Sequence, residues 1–333
     1  MTENISILGA GNWGTTLAVI LAKQGNRVKL WEFRPEAASR IQSERENREF
    51  LPGIGLPETV EVLSDLPRAL DGCRVCFLAM PSSVLRGVCR QAGPLLAEGT
   101  LLASAIKGLE QGTCLRMSQV ISEELKHKAR RLAVLSGPNI AAEIARGLPA
   151  TTVAASGNQE DALELQSVLM SPQLRVYTSQ DVTGVELGGA LKNVIAIAAG
   201  IADGLELGSN AKGALLTRGL AEISRLGAAL GADPSTFAGL SGMGDLVTTC
   251  TSPNSRNHTV GIRIGQGQKL ERILQEMVMV AEGVNTTQAA HGLAKSRGIE
   301  MPITEQMHQV LFEGKDARRA LSDLMTRSPR AEQ

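Results

Sequence analysis

Ile5-Ser-Ile-Leu8-Gly9-Ala-Gly11-Asn12-Trp13-Gly14-Thr-Thr-Leu-Ala-Val-Ile-Leu-Ala22 is the stretch whose reading decides the fold. A short β-branched run is followed at once by three glycines at GxGxxG spacing, then by an apolar pattern of helical period. That order is the strand, turn and helix of a dinucleotide-binding βαβ unit. Gly9 permits the tight turn, Gly11 lets a backbone approach a pyrophosphate, and Gly14 allows the helix to pack closely. The helix start, with Asn12 and Trp13, offers N–H donors and the positive end of its dipole to that anion.

Working outward, further strands are expected at Arg27–Trp31, Val75–Ala79, Leu101–Ile106, Leu132–Leu135, Thr151–Ala154 and Leu174–Tyr177, alternating with helical patterns as in a parallel sheet. After Asp181 the alternation stops. Apolar residues then recur at helical spacing, as in Leu216, Leu220, Ile223, Leu226 and Leu230, and again in Ile273, Met277 and Val280. The fold class expected is an α/β N-terminal Rossmann-like, doubly wound domain over residues 1–180, followed by an all-α C-terminal domain over 181–333. A long apolar helix from about Val182 to Ala202 should open the second domain and lie against the first, leaving a ligand cleft between them.

Composition narrows the class of function. Basic and acidic residues balance at 34 each, so no strong field favours nucleic acid or an anionic membrane, and an anionic ligand must be caught locally. No uninterrupted apolar run reaches the roughly 20 residues of a membrane span, and the N-terminus carries no signal-peptide pattern. The expectation is a cytoplasmic protein without stable membrane insertion. Five scattered cysteines suit a reducing compartment, and Cys73-Arg-Val-Cys76 reads as buried structure despite its redox-motif spacing. The histidines at 127, 258, 291 and 308 share no close spacing, so no metal site is expected.

The second strand ends in Glu32-Phe33-Arg34. A carboxylate there would bind the ribose 2′-hydroxyl of NAD, whereas an arginine would pair with the 2′-phosphate of NADP. Spacing puts both side chains on one side, and Arg34 tilts the reading toward NADP or use of both; a solvated loop arginine is the alternative.

Ligands of such sheets lie beyond the carboxyl ends of the strands. Met80-Pro81-Ser82-Ser83, Ile106-Lys107-Gly108 and Ser136-Gly137-Pro138-Asn139 occupy those ends, and Lys107 could neutralise an anionic substrate or cofactor phosphate. Lys192 sits on an otherwise apolar helix with Gly188 and Gly189 one turn before it. Desolvation there would lower its pKa toward that of a general acid–base for alcohol–ketone interconversion, unless it snorkels to the surface. Gly242-Met-Gly244-Asp245 places a carboxylate on a glycine-rich turn. Ser252-Pro253-Asn254-Ser255-Arg256-Asn257 reads as a helix start, with proline in its first turn, suited to a phosphate.

Together these residues resemble the bacterial-type NAD(P)-dependent glycerol-3-phosphate dehydrogenases over essentially the whole chain. The resemblance is carried by Gly9–Ala18, Lys107–Glu110, Ser136–Pro138, Leu191–Val194, Gly239–Leu246, Ser255–Asn257 and Glu282–Val284, in the family's order. It implies reversible NAD(P)H-dependent reduction of dihydroxyacetone phosphate to sn-glycerol 3-phosphate, feeding phospholipid synthesis. It also implies residue roles: Lys192 as proton donor and acceptor, Asp245 as its orienting partner, Ser255, Arg256 and Asn257 as phosphate ligands, and Lys107, Gly137 and Asn139 lining the substrate site. Trp13, Arg34, Lys107, Ala141, Arg256, Val280 and Glu282 would complete the cofactor site, and a homodimer is expected from the family alone. Asn139-Ile140, where the family commonly has Ser-Phe, and Glu32-Phe33 depart from its pattern.

Two rival readings remain at this stage. A dehydrogenase of hydroxy acids or acyl-CoA would share the first domain but would not call for Ser255-Arg256-Asn257 at a helix start. A dinucleotide sensor without chemistry would leave Lys192 and Asp245 unexplained.

Overall fold

The computed structural model describes residues 3–277, 279–329 and 331, and their side chains apart from that of His127. The N-terminal half runs β1 Asn4–Leu8, α1 Asn12–Lys23, β2 Arg27–Trp31, α2 Pro35–Glu44, β3 Val60–Leu63, α3 Leu66–Leu70, β4 Val75–Leu78, α4 Leu85–Ala92, β5 Leu101–Ser104, α5 Met117–Leu125, β6 Leu132–Ser136, α6 Ala141–Ala145, β7 Ala150–Ala155, α7 Gln159–Leu169 and β8 Leu174–Ser179. The helices that follow are α8 Val182–Gly204, α9 Gly208–Ala229, α10 Pro234–Ala238, α11 Asp245–Thr251, α12 Arg256–Gly265, α13 Leu270–Glu276, α14 Glu282–Arg297, α15 Pro302–Phe312 and α16 Ala317–Met325.

The eight strands form one sheet in the order β3-β2-β1-β4-β5-β6-β7-β8, and its centre is buried on both faces by Ile5, Ile7, Phe77, Leu101 and Leu102. Two features correct the sequence reading. Strand β3, Val60-Glu-Val-Leu63, was not expected; it is a four-residue edge strand whose alternation is too short to stand out. The sheet is also not wholly parallel, because β7 runs antiparallel to β6. Their connection contains only the five-residue α6, which packs beside α1 and does not make the longer crossover a parallel neighbour requires.

The described residues after Ser179 form helices and turns with no strand. Helix α8 is 23 residues long and contains an 18-residue window of mean hydropathy 1.5, enough by length and composition alone to cross a bilayer, but that window is buried inside the protein as a core helix. The apolar pattern around residue 273 is likewise shorter than expected. Helix α13 stops at Glu276, and Val280 lies in the segment before α14 with its side chain exposed.

Helix α8 is the axis of the second half, and its backbone touches that of α12. A Cβ on Gly200 would lie 2.1 Å from the His258 carbonyl oxygen, and one on Gly261 would lie 2.0 Å from that of Ile197. Gly204 and Gly265 repeat the contact one turn on. At the other end of α8, Gly188 and Gly189 sit against Ser241 and Ser136, seating the helix under the carboxyl edge of the sheet. Buried Glu186 then joins the halves, accepting from the Ser118 N–H at 2.8 Å, the Ser118 hydroxyl at 2.6 Å and Arg116 at 2.5 Å. Gly261→Ala is expected to force α8 and α12 apart, destabilising the protein by about 1–3 kcal/mol in chemical denaturation and lowering turnover. Unchanged stability would show that the crossing is not close-packed.

Candidate active site

Three glycines build the cradle at the start of α1. Gly9 has φ +111, and a Cβ there would stand 2.5 Å from the Ala79 carbonyl oxygen. A Cβ on Gly14 would stand 1.9 Å from the Gly9 oxygen, so this glycine is required by packing. A Cβ on Gly11 would meet no atom of the chain within 4 Å. The side of Gly11 is therefore open to a group from outside, and no side chain caps the first-turn N–H groups of α1. The residues present fit a dinucleotide pyrophosphate. Asn12 and Trp13 begin the helix, half-buried, and buried Ala141 leans on it, its carbonyl accepting from the Thr16 hydroxyl at 3.2 Å.

At the end of β2, Glu32 is buried while Arg34 lies at the surface. Glu32 Oε1 accepts from Arg34 Nε at 2.8 Å, and the Arg34 Nη atoms reach both oxygens of Glu49 at 3.1 and 3.2 Å. The neighbouring Glu32 carboxylate, then Glu49, hold the guanidinium above its already high ordinary pKa.

Under the carboxyl edge of the sheet lies a buried cluster of three charges. Lys192 projects from α8 onto Asp245 Oδ1, with which it makes a short ion pair, and donates to the Thr249 hydroxyl at 2.7 Å. Lys107, from the segment after β5, donates to Asp245 Oδ2 at 2.7 Å and to the Gly137 carbonyl at 2.7 Å. Asp245 thus takes one lysine on each oxygen. It can do so because a π-helical turn, Leu240–Gly244, delivers it to the first position of α11. Lys192 does not snorkel: it is 5% exposed. Burial pulls its pKa down to about 7, Asp245 works in the opposite direction, and Lys107 adds to the lowering.

The start of helix α12 lies at the other end of the candidate site, joined to it through Asn193 and Asn257. Ser255 is its N-cap, accepting from the His258 N–H at 3.3 Å, so Pro253 precedes the helix and does not stand in its first turn. Arg256 donates to the Val280 carbonyl at 2.9 Å; burial lowers its pKa and nearby Glu282 works the other way. Asn257 spans helices, donating to Asn193 Oδ1 at 2.9 Å and accepting from the Gly283 N–H at 3.0 Å. Glu282, at the start of α14, reaches the other domain: it accepts from the Ser82 N–H at 2.9 Å and the Ser82 hydroxyl at 2.6 Å.

Most of the expected site residues come together, with two exceptions. Asn139 donates to the Thr151 carbonyl at 3.1 Å and accepts from the Thr152 hydroxyl at 3.1 Å, so both ends of its amide are turned toward β7. Arg34 is engaged by carboxylates on three of its nitrogens. Three residues of the site were missed: Thr249, one turn beyond Asp245 on the same helix face; Asn193, a buried amide whose Nδ2 donates to the Lys107 carbonyl at 3.2 Å; and Ser82 as the seat of Glu282. The i+4 spacing from Asp245 was a signal for Thr249. The cross-chain partners of Asn193 and Ser82 left none.

A glycine cradle on a Rossmann-type sheet, facing a buried lysine–aspartate pair on a helical domain, defines a dinucleotide-dependent oxidoreductase. The family described as "NAD-dependent glycerol-3-phosphate dehydrogenase N-terminus" matches residues 4–162, and its C-terminal counterpart matches residues 181–322. The chain belongs to this NAD-dependent glycerol-3-phosphate dehydrogenase family. It is 53% identical over 333 residues to a glycerol-3-phosphate dehydrogenase [NAD(P)+] of Geobacter metallireducens, covering 100% of this chain and 99% of the relative. With the enzyme of the same description from Geobacillus thermodenitrificans it shares 50% identity over 331 residues, covering 99% and 96% of the two chains. The crystal structure of glycerol-3-phosphate dehydrogenase from Coxiella burnetii superposes with a TM-score of 0.94 at 39% identity, covering 98% of this chain and 99% of that one.

The Lys192 pKa gives a sign to the pH dependence. With Lys192 as the expected proton donor, reduction of a ketone needs it protonated, so kcat/KM for reduction should fall as pH rises through about 7, while that for oxidation of the alcohol should rise through the same range. Asp245→Asn removes the main influence raising that pKa, and should move both limbs at least about one unit to lower pH. Paired pH–rate profiles check this, and limbs that stay in place would exclude Asp245 from setting the lysine's pKa.

Proposed function

We propose that this chain catalyses the reversible reduction of dihydroxyacetone phosphate to sn-glycerol 3-phosphate with NADH or NADPH, supplying the glycerol backbone for glycerophospholipid synthesis. The observation carrying this reading is the largely buried Lys192–Asp245–Lys107 cluster, linked through Asn193 and Asn257 to the start of α12, where Ser255 and Arg256 lie. An anion there meets the Arg256 fork, the Ser255 hydroxyl and the first-turn N–H groups, which suits a phosphate at one end of a short substrate.

In this reading Lys192 donates the proton that the C2 oxygen gains on reduction and takes it back on oxidation. A nicotinamide bound in the cradle would supply or accept the hydride at C2. Asp245 fixes the lysine's direction, Thr249 holds it from a second side, and Lys107 neutralises charge on the substrate oxygens. Gly137 holds Lys107 through its carbonyl. The cradle of Gly9, Gly11 and Gly14, with Asn12, Trp13, Ala141, Val280 and Glu282, would hold the dinucleotide, and the Ser82–Glu282 contact would keep the two domains closed over it. Closure excludes water, which strengthens each charge contact in the cleft. Residues 1–180 then hold most of the dinucleotide and lend Lys107 to the substrate, while residues 181–333 supply the proton and the phosphate site and lend Val280 and Glu282 to the dinucleotide. The expected cell compartment is the cytoplasm, and the expected assembly is a homodimer, which light scattering of the purified protein would test.

Initial rates of NADH and NADPH oxidation with dihydroxyacetone phosphate test the reading. Turnover should depend on the substrate phosphate and fall at least about 100-fold in Lys192→Ala, with dinucleotide binding retained. Arg256→Ala should raise KM steeply. Absence of turnover with either dinucleotide, in protein shown to bind one of them, would overturn the substrate assignment.

A further inference from the structure

We propose that Glu32 makes this enzyme select NADH over NADPH, by holding the adenosine ribose 2′-hydroxyl and repelling a 2′-phosphate. The inference rests on the dinucleotide reading of the Gly9–Gly14 cradle. In such folds the residue ending the second strand, about 20 residues beyond the glycines, meets the ribose. Glu32 occupies that place and is fixed there by its neighbours: the Gly9 N–H donates to the Trp31 carbonyl at 3.1 Å, and the Glu32 N–H donates to Leu63 at 2.9 Å.

The carboxylate is 4% exposed and cannot swing away into solvent. Its Oε1 accepts from the Arg34 backbone N–H at 3.1 Å and from Arg34 Nε at 2.8 Å, while among the described residues Oε2 accepts no hydrogen bond. One acceptor oxygen is thus left for a ribose hydroxyl. The arginine that would otherwise favour a 2′-phosphate is already matched. Its two Nη atoms pair with Glu49, which also takes Arg40 at 3.4 Å. Arg34 and Arg40 are therefore balanced by Glu32 and Glu49, and a phosphate dianion placed here would face a buried carboxylate without an uncommitted guanidinium to offset it.

Equilibrium titration of the full-length protein with NADH and with NADPH, followed by nicotinamide fluorescence without substrate, reads this preference independently of turnover. The wild type should bind NADH at least tenfold more tightly. Glu32→Gln, which keeps the shape and removes the charge, should cut that ratio at least tenfold, chiefly through tighter NADPH binding. Glu49→Gln should improve NADPH binding alone by loosening Arg34, and it tests the proposal without disturbing a buried group. A wild type that binds NADPH as tightly as NADH, or a Glu32→Gln protein that weakens both equally, would overturn it. Binding of neither dinucleotide would overturn the dehydrogenase reading itself, whereas selective NADH binding without turnover of dihydroxyacetone phosphate would support Glu32 and overturn only the substrate.

Discussion

The backbone contact between α8 and α12 sets the distance between the lysine and the helix start. Glycines at 200, 204, 261 and 265 let the two helices approach until carbonyl oxygens stand where side chains would be. Lys192 lies about two turns before that crossing and Ser255–Asn257 just ahead of it on the partner helix, so their separation is set by helix geometry. Asn193, Asn257 and the Gly283 N–H then tie α8, α12 and α14 together by hydrogen bonds at the site itself. Lys192, Asp245 and the Ser255–Asn257 start are thus held by helices, which fix side-chain geometry better than loops do.

The same helix brings charge into a dry place. Lys192 is desolvated by the apolar body of α8, and Asp245 offsets only part of that cost while sharing itself with Lys107. Buried ion pairs of this kind are poor sources of stability, because desolvation offsets much of their attraction. What they gain here is a lysine near neutrality with a fixed direction. The domain interface uses the same kind of contact in Arg116–Glu186 and Ser82–Glu282, where a carboxylate from the helical half receives donors from the sheet half. Each contact fixes the register of the two domains, as well as their proximity.

Much of this was legible in order along the chain. Local chemistry announces itself when one short segment contains both the pattern and its reason, as with the Gly9–Gly14 turn, the change of period after Asp181, and the lone lysine of an apolar helix. Short or shared features were not legible. Strand β3 is too brief for its alternation to register, and the reversal of β7 depends on how little chain joins it to β6. The roles given to Asn139 and Arg34 were drawn from residue type, yet the bonds of the first turn toward β7, and the guanidinium of the second toward Glu32 and Glu49, depend on residues that strand pairing and loop folding bring near.

The sequence by itself determined the two-domain class and the glycine cradle, and it pointed to the lysine, the aspartate and the helix start at Ser255 as the candidate site, because each is a property of local spacing and side-chain chemistry. Tertiary structure alone decided which groups meet: Asp245 between two lysines from different domains, Thr249 and Asn193 beside them, Glu282 on Ser82, and Arg34 on its carboxylates. Those pairings join residues up to 200 positions apart, and burial sets the pKa of the lysine they surround. Neither proximity across that distance nor the loss of water around a charge is encoded at any single position in the chain.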